Sequence, residues 1–113
     1  MFIIILMRIN DETKILNFLK ERNISFEREI GFSECIDKNP LPFDFCISEK
    51  NLLIEFNGAQ HYYYSPMFHK TIRGFHLQKY HDWLKRKFAK NNNIQLLTVS
   101  YKDDIIKKLE EIL

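Results

Sequence analysis

The chain has 113 residues, 17 Lys and Arg against 15 Asp and Glu, a net charge of +2, and 45% hydrophobic residues. That is one folded domain over residues 1–113, and ten Phe and five Tyr beside three Gly exclude a disordered or low-complexity chain. So balanced a charge leaves room only for a local nucleic-acid footprint, not a global one.

Residues 1–9 open with an apolar run, read as a strand or an extension. The run is far shorter than the roughly 20 residues that span a bilayer and lacks a secretory leader's basic flank and cleavage site, so no membrane partner is expected. Asn10 and Asp11 then cap a helix whose apolar positions Ile15, Leu16 and Leu19, with Phe18 beside them, repeat until Asn23. Glu12 falls in its first turn. Segment 25–30 alternates as a strand, and 31–42 is a loop broken by two prolines. Cys35 and Cys46 lie in no CxxC spacing, which argues against structural zinc and for reduced thiols in a cytoplasmic setting.

A hairpin containing Asp44 and Glu55 follows and ends at Gly58. Residues 62–74 are aromatic and basic without a clear period and read as a loop. Leu77, Tyr80, Leu84 and Phe88, with Trp83 alongside, make a helical stripe ending at Asn91-Asn92-Asn93. Segment 94–100 is the last strand, and Asp103 caps a final amphipathic helix through Ile105, Ile106, Leu109 and Ile112. The plan is α/β or α+β.

The hairpin carries the chemistry. Asp44 and Glu55 each sit inside an apolar run with no lysine or arginine within two residues, and a charge taken out of water needs a partner or a metal. If Ser48 pairs with Asn51 across a two-residue turn at Glu49-Lys50, Phe45 faces Ile54 and Asp44 faces Glu55. Opposed residues have Cβ atoms about 4.5–5.5 Å apart, a separation at which two carboxylates suit Mg²⁺ or Mn²⁺. Asn57 joins them by the strand period. Glu49-Lys50 lacks the Asn-Gly chemistry that two-residue turns favour, and a three-residue loop would flip the face.

Glu12 on the first helix, Phe43-Asp44-Phe45, the run Ile54-Glu55-Phe56-Asn57-Gly58-Ala59-Gln60-His61, and Asp82-Trp83-Leu84-Lys85 before Ile94-Gln95-Leu96-Leu97 resemble the PD-(D/E)xK nuclease superfamily. Within it the chain looks like the small very-short-patch-repair and phage homing endonucleases, over about residues 10–102. The resemblance implies a restriction-endonuclease-like core, a central mixed sheet flanked by helices, and hydrolysis of DNA phosphodiesters. It implies Asp44 as the central ligand of Mg²⁺ or Mn²⁺, Glu55 as the second carboxylate, the backbone carbonyl of Phe56 as a further ligand, and Glu12 as an assisting acid. It also suggests a bacterial, phage or viral origin. The chain departs from the pattern at Asn57, where the superfamily usually carries lysine. Gln60, His61 and Lys85 are the candidates for that role, with His61 first because imidazole titrates near neutral pH.

Lys70, Arg73, Lys85 and Arg86, with Asp82 and Asn57 beside them, form the candidate surface for double-stranded DNA. Each candidate has a plainer reading. A hairpin acid is usually solvated, Glu12 can serve the helix dipole, Asp82 and Lys85 can be an ordinary helix pair, and Tyr62, Tyr63 and Tyr64 can pack or stack on bases. His69, His76 and His81 read as surface or stacking residues. The sequence therefore points to a Mg²⁺-dependent endodeoxyribonuclease, small enough that pairing with a second copy would enlarge its grip. A DNA-binding module that has lost the chemistry through Asn57, or an RNA- or junction-specific nuclease, uses the same core.

Overall fold

The computed structural model describes the backbone of residues 2–113 and the side chains from Asp11 onward. Helix α1 (Phe2–Glu21) leads to β1 (Glu27–Ile30), a small hairpin of β2 (Ile36–Asp37) and β3 (Asn39–Pro40), then β4 (Phe43–Ile47) and β5 (Leu52–Asn57). Helices α2 (Pro66–His69) and α3 (Ile72–Asn91) follow, then β6 (Gln95–Ser100) and α4 (Ile105–Ile112). The four-stranded sheet has the order β1-β4-β5-β6, antiparallel except for the parallel β5–β6 pair. This is an α+β fold with a mixed sheet flanked by helices, as the sequence predicts.

The inner strands β4 and β5 are buried at every residue, which explains why FDFCI and LLIEFN read as near-continuous apolar runs rather than alternating ones. Phe45, Ile47, Leu52, Ile54 and Phe56 pack with Ile15, Phe18 and Leu19 of α1 and with Ile105 and Leu109 of α4. Cys46 and Leu53 belong to a second cluster with Phe43 and with Phe88 of α3. By the strand period, Glu55 and Asn57 share the Leu53 side, facing α3.

The hairpin register is the expected one, with Phe45 opposite Ile54, Cys46 opposite Leu53 and Ile47 opposite Leu52. Its turn differs in chemistry. Ser48–Lys50 form a 3₁₀ turn closed by the Asn51 amide donating to the Ser48 carbonyl at 3.1 Å, and Asn51 takes the left-handed conformation at φ 51°, ψ 48°. Asn51 supplies the positive φ, so Glu49 and Lys50 need none. Ser48 and Asn51 leave the ladder together, which preserves the side-chain parity on which the site depends.

Three boundaries depart from the sequence reading. Helix α1 does not start at Asn10-Asp11: it runs back to Phe2, replacing the strand or extension, and Glu12 lies mid-helix rather than in a first turn. No Gly or Pro precedes Gly31 to interrupt it. The side-chain packing of the opening apolar run falls outside the described residues. Segment 62–74 is not all loop, since it holds α2 and the start of α3, whose cap Thr71 accepts from the Gly74 amide at 3.0 Å. The α4 cap is Asp104, which accepts from the Lys107 amide at 3.2 Å. Asp103 instead accepts from the Ser100 amide and the Lys108 ammonium, both at 2.7 Å, which hold its carboxyl below the usual range.

Candidate active site

The β4–β5 ladder is paired as far as Phe45 and Ile54, and one step further the two acids bond across the strands. The Asp44 amide donates to Glu55 Oε1 at 3.0 Å, and the Phe56 amide donates to Asp44 Oδ2 at 2.7 Å. Asp44 and Glu55 are 8% and 6% exposed, so each carboxylate meets its neighbour's backbone in a place nearly closed to water. Helix α3 delivers the cation: Lys85 Nζ lies 3.0 Å from Glu55 Oε2. Burial and then the Asp44 charge push the Glu55 carboxyl up to about 7, against the opposing pull of Lys85. Glu55 therefore changes charge near neutrality.

Beside Glu55 opens a cavity of about 290 Å³, lined by Asn57, His61, Lys79, Asp82, Lys85 and Arg86 among others. Leu96 and Thr98 of β6, the partners of Leu53 and Glu55, close its floor. Asp82 and Lys85 of α3 share one side of the helix with Gln78, which precedes them by four and seven residues and lines the neighbouring hollow with Gln60 and His69. Asn57 Oδ1 and Gln60 Nε2 are buried without a hydrogen-bond partner.

His61, 8% exposed, ends the short turn Ala59–His61 that follows β5. Its Nδ1 lies 3.0 Å from Asp82 Oδ2 and its Nε2 3.2 Å from Gln78 Nε2. Gln78 Oε1 in turn lies 2.7 Å from His69 Nε2, which is also 2.7 Å from the Gln60 carbonyl.

The structure thus gathers Asp44, Glu55, Asn57, His61, Asp82, Lys85 and Arg86 at one end of the sheet, with Gln60 buried next to them. It places Glu12 elsewhere. That carboxylate sits 3.5 Å from Arg28, whose guanidinium covers the Phe45 ring on the α1 side. Lys70 and Arg73 are exposed at the α2–α3 junction and do not line the cavity. Asp82, grouped with the DNA-contacting residues from sequence, binds His61 instead, and Lys85 faces Glu55 rather than open solvent. His81 pairs with Asp37 at 2.7 Å, and Tyr62, Tyr63 and Tyr64 are exposed rather than packed on the sheet. Sequence reasoning missed Gln78, Lys79 and His69, the last of which is buried. Helical spacing from Asp82 and Lys85 was the available signal for Gln78; none marked His69. Both cysteines are buried free thiols, and burial pushes Cys35 up, which makes it a poor nucleophile.

No family model and no solved structure matches the chain. It is similar to uncharacterized protein 307L of invertebrate iridescent virus 6, 47% identical over 57 residues, or 50% of this chain and 29% of that protein. It is also similar to uncharacterized protein 033L of invertebrate iridescent virus 3, 35% identical over 66 residues, or 58% of this chain and 34% of that protein. The matched segments of the chain cover only about a third of the length of each of these viral relatives. Among the described residues no helix is long and apolar enough to cross a membrane.

Proposed function

We propose that the chain is a divalent-metal-dependent endonuclease that hydrolyses DNA phosphodiesters, with the restriction-endonuclease-like core its sequence resembles. The observation that carries this reading is the joining of Asp44 and Glu55 across β4 and β5, with the Lys85 ammonium on the second acid. The donor chemistry fits a hard cation: two carboxylates converge, and the buried Asn57 amide oxygen beside them lacks a partner. Among the described residues no three His, Cys, Asp or Glu side chains converge, so amide oxygens would complete such a set, from Asn57 and the Phe56 carbonyl. Glu12, on the α1 side, has no part in it.

Bound there, Mg²⁺ or Mn²⁺ would lower the pKa of a coordinated water and neutralise charge on the phosphate oxygens. The chain's own groups do the rest. Lys85 brings from α3 the positive charge that Asn57 cannot bring from β5, and it faces the place where negative charge grows on phosphorus-bound oxygen. His61, backed by Asp82, accepts the proton of the attacking water. Lys79 and Arg86 at the cavity rim meet the flanking phosphates.

Incubation of supercoiled plasmid with the protein in Mg²⁺, Mn²⁺ or chelator tests this. Nicking with metal, lost in chelator and in Asp44→Ala, is the expected result; intact plasmid throughout sinks the reading. A second reading draws on the Lys85–Glu55 ion pair itself, which satisfies the buried acid with no metal and suits a DNA-binding module without chemistry. That module would bind DNA equally well after Asp44→Ala, and calorimetry would detect no metal binding. Cleavage confined to RNA would move the substrate class and keep the site.

A further inference from the structure

The hydrogen-bond chain behind His61 has a direction, and backbone groups at its far end set it. His69 Nε2 lies 2.7 Å from the Gln60 carbonyl, which can only accept, so Nε2 carries hydrogen. His69 Nδ1 receives the Ser65 amide at 2.9 Å, so in the neutral ring Nδ1 is the unprotonated nitrogen. The Ser65 carbonyl, 3.0 Å from the same atom, already accepts from the Phe68 and His69 amides. That one hydrogen is shared between the Gln60 carbonyl and Gln78, so the Gln78 amide must present Oε1 to His69, at 2.7 Å, and hence its NH₂ to His61, at 3.2 Å. A donor aimed at His61 Nε2 requires a lone pair there. His61 Nδ1 then carries the hydrogen and donates to Asp82 at 3.0 Å. Every donor in the chain meets an acceptor in this arrangement, and reversing any one link sets two donors face to face.

We infer that Gln78 and His69 are positioning residues that, together with Asp82, fix His61 in the tautomer protonated on Nδ1 and hold the single Nε2 lone pair against the Gln78 NH₂ until a substrate water displaces it. The role assigned to that lone pair rests on the nuclease reading; the tautomer does not. In the hydrolytic step the Gln78–His61 hydrogen bond opens to admit the water, the water O–H bond breaks as its proton passes to the freed His61 Nε2 lone pair, and the oxygen bonds to phosphorus as the ester oxygen departs. The charged groups sharing the cavity with His61 are Asp82, Glu55, Lys79, Lys85 and Arg86. Of these, Asp82 alone bonds the ring. The two histidines stand on different elements, the turn after β5 and α2, and Gln78 of α3 bridges them. The relay therefore also ties the cavity wall to the α2–α3 junction.

Long-range ¹H–¹⁵N spectra of the metal-free ¹⁵N-labelled protein at pH 8 test the assignment. The expected pattern is protonated Nδ1 and bare Nε2 for His61, with the reverse for His69. Gln78→Glu, close in shape, offers only acceptors and should put a second hydrogen on His61 Nε2, since Asp82 still holds the one on Nδ1; Gln78→Ala should leave Nδ1 protonated and move the Nε2 resonance, which has lost its donor. In plasmid cleavage, Gln78→Glu should lower kcat roughly 10²-fold with little change in KM, within the range of general-base contributions. A wild-type His61 protonated on Nε2, or a Gln78→Glu spectrum indistinguishable from wild type, would overturn the inference. A wild-type protein that shows the expected pattern and cuts nothing would support the tautomer and reject the nuclease reading.

Discussion

Glu55 is pulled in two directions, by burial and Asp44 toward the neutral form and by Lys85 toward the charged one. The first pair wins, lifting its carboxyl from 4.5 to about 7. Between those values the folded chain holds a proton that the unfolded chain has released, so stability falls as pH rises from about 4.5 to about 7 and is flat beyond. At about 1.4 kcal/mol per pKa unit the effect has a ceiling of about 3 kcal/mol. Denaturant unfolding in chelator at pH 5 and pH 8 should show this loss in wild type and not in Glu55→Gln; equal slopes in the two proteins would refute it. Lys85→Met should cost about 3–5 kcal/mol at pH 8, where it strands a buried carboxylate, and markedly less at pH 5, where Glu55 is protonated. These pH responses were not legible in the sequence. It showed that Asp44 and Glu55 lack cations nearby in the chain, but not that Lys85 reaches Glu55 from thirty residues away.

At the scale of elements, what could be read was what local pattern dictates. The β4–β5 register follows from two buried runs and a short connection, and it fixed Phe45 opposite Ile54 and the shared side of Glu55 and Asn57. Helix α3 shows where pattern misleads. Leu77, Tyr80 and Trp83 recur at helical spacing with Leu84 and Phe88, yet they are 48%, 48% and 46% exposed, while Phe88 is buried. The helix packs on the sheet through its C-terminal part, and further up its inward positions are polar because Asp82 and Lys85 border the cavity and Gln78 lies between His61 and His69. An apolar stripe therefore marks the wrong side for half its length. Segment 62–74 was illegible for another reason: a four-residue helix has no period to detect. Gly74 is the residue that lets α3 start where it does, since a Cβ there would stand 2.4 Å from the His69 carbonyl oxygen. Gly74→Ala should cost about 1–3 kcal/mol by forced displacement of backbone, and it should perturb the His69 resonances more than those of α4. Thermal unfolding unchanged from wild type would remove that close approach.

Over the whole molecule the net charge of +2 conceals an uneven distribution. Lys79 and Arg86 flank the cavity on exposed positions of α3, and Lys70 and Arg73 stand exposed where that helix begins. A duplex lying along α3 with its scissile phosphate at the cavity would meet about four cations, and each neutralised phosphate contributes about −0.9 to the slope of log Kobs against log salt. The expected slope is about −3 to −4. Replacing Lys79 and Arg86 by alanine should bring it to about −2 while leaving the unfolding transition in place, because neither side chain is part of the core. Fluorescence anisotropy of a labelled duplex across a salt series measures both slopes in the metal-free protein. A wild-type slope near zero would mean that the α3 surface is not where DNA lies. So few contacts hold DNA weakly at physiological salt. The matched segments make up only about a third of each viral relative, so the rest of those chains has room for further phosphate contacts. A full-length relative should accordingly show the steeper slope of the two under identical conditions.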